Sequence, residues 1–303
     1  MRFSIYQASR QGGRNYNEDR IAYSFSRDAL LMVITDGMGG HSHGEVAAQL
    51  TVKLLTDAFQ HYAHPKLSDP ANFLHHAMHR AHEIINNYSQ EHKFVEPPHT
   101  TCVACVVQDD TVWWAHVGDS RLYLFSENAL ILRTHDHSAV QQLLDEGKIS
   151  EAEMSEHPDR NKVYNCLGGY LAPEIELSRP MPITKGDIIL MCTDGLWGQL
   201  TTEQISATLS RLPLARSIEF LMDHAELRGG RHGDNLSAIA MTWESYDTAG
   251  EDYSVSTVAM ANNAFTTKIA GHMPNAADLA EDEVERVIAE IQHTIKKFAN
   301  SNQ

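Results

Sequence analysis

Four short acidic marks punctuate this chain: Asp36-Gly37, Gly118-Asp119-Ser120-Arg121, Asp194-Gly195 and Asp234-Asn235. Each adjoins an apolar run with strand character. Leu30-Leu31-Met32-Val33-Ile34-Thr35 runs into the first, Ile188-Ile189-Leu190-Met191-Cys192-Thr193 into the third, and Leu236-Ser237-Ala238-Ile239-Ala240-Met241 follows the fourth. Setting a carboxylate beside a core strand is costly, and gathering several is worse unless a cation neutralises them. Hard divalent ions with oxygen ligands are the natural compensation. A metal enzyme is therefore the expectation.

The strands come in clusters, with helices between the clusters. Strand-like runs occupy 3–7, 21–25, 30–35, 101–107, 112–117, 122–125 and 130–133, then 175–177, 187–193 and 236–243. Helical periodicity marks 45–59, where Val46, Leu50, Leu54 and Ala58 share one face, and 71–88, opened by Asp69-Pro70. Further helices are expected at 138–146, 202–209 and 214–227. Without regular β-α-β alternation, antiparallel sheets with helices packed outside are favoured over a doubly wound parallel sheet. Residues 246–276 are rich in Ser, Thr, Ala and Asn and read as a flexible linker. Residues 277–303 read as an amphipathic helix on a Val284, Val287, Ile288, Ile291, Ile295 and Phe298 stripe. Such a helix needs a surface, its own domain or a partner.

The formal charge of −16 argues against nucleic-acid and anionic-membrane partners. No signal-peptide pattern opens the chain and no apolar run reaches a membrane-spanning length, so a cytoplasmic protein is expected. Cys102 and Cys105 match C-x-x-C, but within a strand residues three apart face opposite ways, so they read as buried small hydrophobes. His75, His79 and His82 share a helical face with no acid or cysteine to complete a metal set, and read as a solvated face. Trp113-Trp114 is expected to put one ring into each adjoining layer.

Arg14 stands near Asn17-Glu18-Asp19, where its guanidinium offers a bidentate fork to phosphate. The segment from Asp36 to Glu45 is a strand, glycine loop and helix, yet it matches neither G-x-G-x-x-G nor a Walker loop. Taken with Thr134-x-Asp136-His137-Ser138, these motifs occur in an order that resembles the bacterial form of the PPM (PP2C-like) metal-dependent protein serine/threonine phosphatases, over roughly 1–243. The resemblance implies an α+β fold, a four-layer α-β-β-α sandwich of two mainly antiparallel sheets flanked by helices, as one domain over 1–245. It implies two Mn²⁺ or Mg²⁺ ions and a third, weaker one. Asp36 would bridge the two ions, with the Gly37 carbonyl on one of them. Asp194 and Asp234 would hold the other, Asp119 would hold the third, and Glu18 and Asp19 would act through water. A bridging water would attack phosphorus in line, with Arg14 holding the phosphate. Phosphorylated proteins would be the substrates, and a bacterial Ser/Thr kinase the opposing activity.

Met38 stands where some relatives of that family carry a histidine acid. The leaving-group acid is thus unassigned, with a metal-held water, His41 and His43 as candidates. Residues 155–170 resemble the family's mobile flap, in which Arg160 is a candidate for substrate choice. No C-x₅-R, kinase or PPP-type signature is present. The alternative is a non-catalytic phosphoprotein scaffold acting through the C-terminal helix.

Overall fold

The computed structural model describes residues 1–38, 43–154, 157–243 and 253–271. Two antiparallel sheets lie face to face. One runs, in spatial order, Ser254–Ser256, Arg2–Arg10, Leu236–Trp243, Ile188–Cys192, Arg121–Ser126 and Ala129–Arg133. The other runs Glu176–Leu177, Thr111–Val117, Cys102–Gln108, Ala29–Thr35, Arg20–Phe25 and Thr266–Ala270, with Met181–Pro182 also on Thr111–Val117. Helices Gly44–Tyr62 and Pro70–Glu91 cover the second sheet, and Thr202–Leu209 and Leu214–Gly229 cover the first. This is the expected four-layer arrangement.

Alternation within the strands builds the layers. Leu31 and Val33 face the helices while Leu30, Met32 and Ile34 face the other sheet. In the first sheet Ile239 and Met241 point between the sheets, and Ala238 and Ala240 point to the outer helices. Because both faces are covered, these antiparallel strands read as continuous apolar runs. Cys102 and Cys105 separate in the same way, as do Trp113 and Trp114, one into each core. Burial pushes both thiols up, away from thiolate chemistry. Asp69 caps the Pro70–Glu91 helix by accepting the Asn72 amide, as Asp-Pro predicts.

The expected linker at 246–276 is corrected over its described part. Ser254–Ser256 pairs with Arg2–Ser4, and Thr266–Ala270 pairs with Ile21–Phe25, so each closes one edge of a sheet. An edge strand needs few apolar anchors, which is why Ser- and Thr-rich sequence read as linker. The helix expected at 277–303 lies outside the described residues. A small sheet of Gly37–Met38, His99–Thr100 and Leu167–Gly168 was also invisible in the sequence, because two-residue strands carry no periodicity.

The registers bring the acidic marks together. Thr35 pairs with Arg20, so Asp36 and Asp19 leave the second sheet at the same end. Cys192 lies between Ala238 and Arg121 in the first sheet, so Asp194, Asp234 and Asp119 leave at that end too.

Candidate active site

At that end lies a cavity of about 360 Å³, walled by Arg14, Glu18, Asp36, Gly37, Met38, Asp119, Asn161, Val163, Asp194, Asp234 and Asn235, among others. The structure thus gathers every expected site residue but Asp19 around one space. Asp19 is fully buried behind it and accepts from the Thr193 hydroxyl at 2.9 Å.

Backbone hydrogen bonds place each carboxylate. The Asp36 amide donates to Thr101 Oγ1 at 3.0 Å, and its carbonyl accepts from the Thr101 amide and the Thr100 hydroxyl at 2.9 Å each. Asp194 opens a one-turn helix, Asp194–Trp197, whose last residue donates its indole N–H to the Asp119 carbonyl at 2.9 Å. Arg121 lies 3.6 Å over that indole and grips Asp136 through both Nε and Nη2, the latter at 2.6 Å. Asn235 ties the N-terminal loop to the site. Its Nδ2 donates to the Gln11 and Tyr16 carbonyls at 2.8 Å, and its Oδ1 accepts the Glu18 amide at 2.8 Å.

Among the close approaches that admit only glycine, two shape the site. A Cβ on Gly195 would stand 2.0 Å from the Asn235 carbonyl oxygen, and one on Gly37 would stand 2.3 Å from that of Gly44. The first keeps Asp194 and Asp234 adjacent, and the second lets the Gly44–Tyr62 helix start against the Asp36 turn.

The electrostatics follow from the crowding. Burial, reinforced by Asp194 and Asp234, raises Asp19 to about 8. Burial followed by Asp234 raises Asp194 to about 7. Asp36 and Asp119 are pushed well above the usual carboxylate range by burial and by their acidic neighbours, and Glu18 is raised by burial first. Oδ1 of Asp19 and Oδ1 of Asp194 are buried with no hydrogen-bond partner among the described residues. Hard oxygen donors that repel one another, with buried lone pairs left over, fit divalent cations of the Mg²⁺ and Mn²⁺ kind. Arg14, a guanidinium at the rim, donates to Asp234 Oδ2 at 2.6 Å while 54% of its side chain stays exposed.

Met38 walls the cavity in place of a histidine. His43 instead stacks on Phe94 at 4.2 Å and contacts Glu45 at 3.6 Å, and it is not among the cavity walls. His41 lies outside the described residues. Of the expected flap, Asn161 and Val163 reach the cavity whereas Arg160 is exposed outside its walls. On the Pro70–Glu91 helix, His75 and His79 pack ring to ring at 4.5 Å, and His82 Nδ1 accepts the Gly168 amide. Among the described residues these three form no metal-ligand group.

Sequence reasoning gave no role at the site to Trp197, Arg121 or Asn161. Trp197 meets the Asp119 carbonyl 78 residues away, a separation that leaves no local pattern. Arg121 was visible within Gly-Asp-Ser-Arg, but its stacking on Trp197 was not.

A profile of the Protein phosphatase 2C family matches residues 7–238. The serine/threonine phosphatase stp of Listeria monocytogenes is 30% identical over 229 residues, spanning 75% of this chain and 90% of that protein. The serine/threonine protein phosphatase PstP of Mycobacterium tuberculosis is 33% identical over 239 residues, 77% of this chain and 43% of that protein. The crystal structure of the latter superposes with a TM-score of 0.70 at 30% identity, over 81% of this chain and all of that one. A PstP catalytic domain solved with two manganese ions superposes with a TM-score of 0.66 at 28% identity, over 80% of this chain and 98% of that one.

Proposed function

This chain belongs to the protein phosphatase 2C family, and on that premise we propose that it hydrolyses phosphoserine and phosphothreonine on proteins, using Mn²⁺ or Mg²⁺. One observation carries the reading. Carboxylates from strands of both sheets converge on a single cavity with an arginine at its rim, and two of their buried oxygens have no partner among the described residues.

Asp36, the Gly37 carbonyl, Asp194 and Asp234 would hold two ions, with Asp119, sharing Asp194, for a third. Glu18 and Asp19 would act through water. Bound there, the ions lower the pKa of a coordinated water and stabilise charge on the phosphoryl oxygens.

The chain's own part is orientation and charge. Arg14 reaches from the rim and forks onto two phosphate oxygens, holding phosphorus in line for attack. Its present contact with Asp234 is an exposed ion pair, a weak competitor for a dianionic phosphate. Asn235 holds the loop that carries Arg14 and Glu18 at its working distance. Asn161 and Val163 wall the side from which a phosphopeptide would enter. Met38 offers no proton to the leaving alkoxide, and His43 is held on Phe94 away from the cavity walls. The substrates are phosphoproteins, and the activity opposes a bacterial serine/threonine kinase in the cytoplasm. Among the described residues no helix is long and apolar enough to cross a membrane. A scaffold without catalysis would not need the full carboxylate set.

The test is hydrolysis of phosphothreonine and phosphotyrosine peptides with Mn²⁺, with chelator, and by Asp194→Ala. Release from phosphothreonine that needs Mn²⁺ and Asp194 is expected, with phosphotyrosine spared. Activity that survives chelation, or is indifferent to Asp194→Ala, overturns the reading.

A further inference from the structure

Beside the cavity, His116, His137 and Glu176 bring three ligand-type atoms within 4.8 Å of one another. The two rings stack nearly parallel at 4.8 Å, and both Nε2 atoms face Glu176 Oε2, at 3.8 Å from His116 and 3.4 Å from His137. Two histidines and a glutamate are a zinc-type set. The hydrogen bonds exclude that use. His137 Nδ1 lies 3.2 Å from the Gly118 amide and 2.8 Å from Asn165 Nδ2. The Gly118 amide can only donate. The Asn165 amide is oriented by Glu174, whose N–H donates to Asn165 Oδ1 at 3.0 Å and whose carbonyl accepts from Nδ2 at 2.7 Å, so Nδ2 also donates to His137. Nδ1 therefore carries a lone pair, and the proton of the neutral ring sits on Nε2, aimed at Glu176. His116 Nε2 lies 2.8 Å from the His135 carbonyl, an acceptor, so it too carries its proton. Neither Nε2 has a lone pair to give a cation, which leaves His116 Nδ1, buried without a partner among the described residues, as the one free ring lone pair of the trio, too few for a zinc set.

We propose instead that His137 is a positioning residue that couples the Asp119 turn to the 161–165 wall of the cavity. On one side its main-chain amide donates to the Gly118 carbonyl at 2.9 Å, while its Nδ1 accepts the Gly118 amide. Gly118 has φ +96°, and a Cβ there would stand 2.6 Å from Thr101, so the turn that presents Asp119 has little room to adjust. On the other side the His137 carbonyl accepts the Tyr164 amide at 3.1 Å, and its ring accepts Asn165. The next residues continue the seam: Ala139 donates to the Lys162 carbonyl at 2.9 Å, and Ser138 bridges Val163. Asp119, Asn161 and Val163 all face the cavity, and the buried His137 ring, bonded to Gly118 and to Asn165, joins the segments that carry them, alongside the main-chain bonds of 137–139. A change in the wall is felt at Asp119, and cation binding at Asp119 stiffens the wall that a phosphopeptide meets. The inference rests on reading Asp119 as a cation ligand.

The test is calorimetric Mn²⁺ titration of the full chain together with hydrogen exchange over 161–165. His137→Leu removes the acceptor, whereas His137→Asn keeps an acceptor oxygen on Cγ where Nδ1 stood. The expected result for His137→Leu is weakest-site Mn²⁺ affinity lowered about tenfold, as for loss of an outer-sphere partner, with faster exchange at Val163 and Tyr164. His137→Asn restores both. Asn165→Ala, a milder change, moves both in the same direction should His137→Leu fail to fold. A wild-type Mn²⁺ isotherm in the variants overturns the coupling, because a merely structural role would speed exchange alone. Uptake of a Zn²⁺ equivalent that Glu176→Gln abolishes also overturns it. Asp119→Ala separates the failures. If it weakens the isotherm and the His137 variants do not, the coupling alone is wrong. If it leaves the isotherm unchanged, the ligand reading falls and takes the coupling with it.

Discussion

Asp19 and Asp194 are where the site's charge is least comfortable. Folding raises the first from the ordinary aspartate value of 3.8 to about 8 and the second to about 7, in both cases mainly through burial. Between those limits the folded chain binds protons that the unfolded chain has released, so stability falls as pH rises. In chelator, the melting temperature is expected to drop steadily from about pH 5 to about pH 8, and saturating Mn²⁺ to flatten that slope. A chelated melting temperature that climbs over that range would contradict the crowding. Arg14 makes the opposite prediction. Its side chain is half exposed and its ion pair is with Asp234 of the site, so Arg14→Ala should leave stability within about 0.5 kcal/mol by denaturant titration. It should cost about a hundredfold in kcat/KM on a phosphothreonine peptide, the scale for losing one preorganised donor. Residue chemistry of this kind was legible early, because Arg14, Asp36, Asp194 and Asp234 each sit in a motif. Asp19 was placed in the right motif, but its withdrawal behind the cavity depends on the Thr193 hydroxyl, which no local pattern announces.

At the scale of elements, the short Asp194–Trp197 helix joins the acidic marks. Its first residue supplies a carboxylate, its second packs on the Asn235 carbonyl, and its last holds the Asp119 carbonyl. Gly195→Ala would drive a methyl to 2.0 Å from a backbone oxygen that sits at the head of a core strand and cannot retreat cheaply. The expected cost is about 1–3 kcal/mol of stability in urea, as for overpacking, together with weakened Mn²⁺ binding, because Asp194 and Asp234 part. A variant with wild-type Mn²⁺ affinity would separate the glycine from the site. The long strands and helices were readable from periodicity and from signals such as Asp69-Pro70. The two-residue strands at 37–38, 99–100 and 167–168 were not, since they are held by pairing partners distant in sequence.

The whole molecule depends on the segment mistaken for a linker. Residues 253–271 close one edge of each sheet. Val255, Met260 and Ala270 pack on the core between the sheets, and Phe265 packs on the helix-side core. A chain ending at 271 keeps both edge strands and is the reference for this test. One ending at 243 exposes the outer edges of Arg2–Arg10 and Arg20–Phe25, and should melt lower and aggregate. Equal melting temperatures for the two would refute the edge-closing role. Composition could not reveal this, because an edge strand's stability comes from backbone pairing with a strand already in place, not from its own apolar content.

By itself, then, the sequence determined that strands end in carboxylates, that those strands are covered on both faces, and that an arginine accompanies them. Charge and hydrophobic period are local properties, written residue by residue. Tertiary structure alone decided that the ends from two sheets meet at one cavity. It also decided that Trp197 and His137 hold the Asp119 turn from two sides, and that 253–271 closes both edges. Those arrangements depend on register and on contacts between residues far apart in the chain, where a hydrogen bond's partner is set by the packing of whole layers and leaves no mark in the neighbouring sequence.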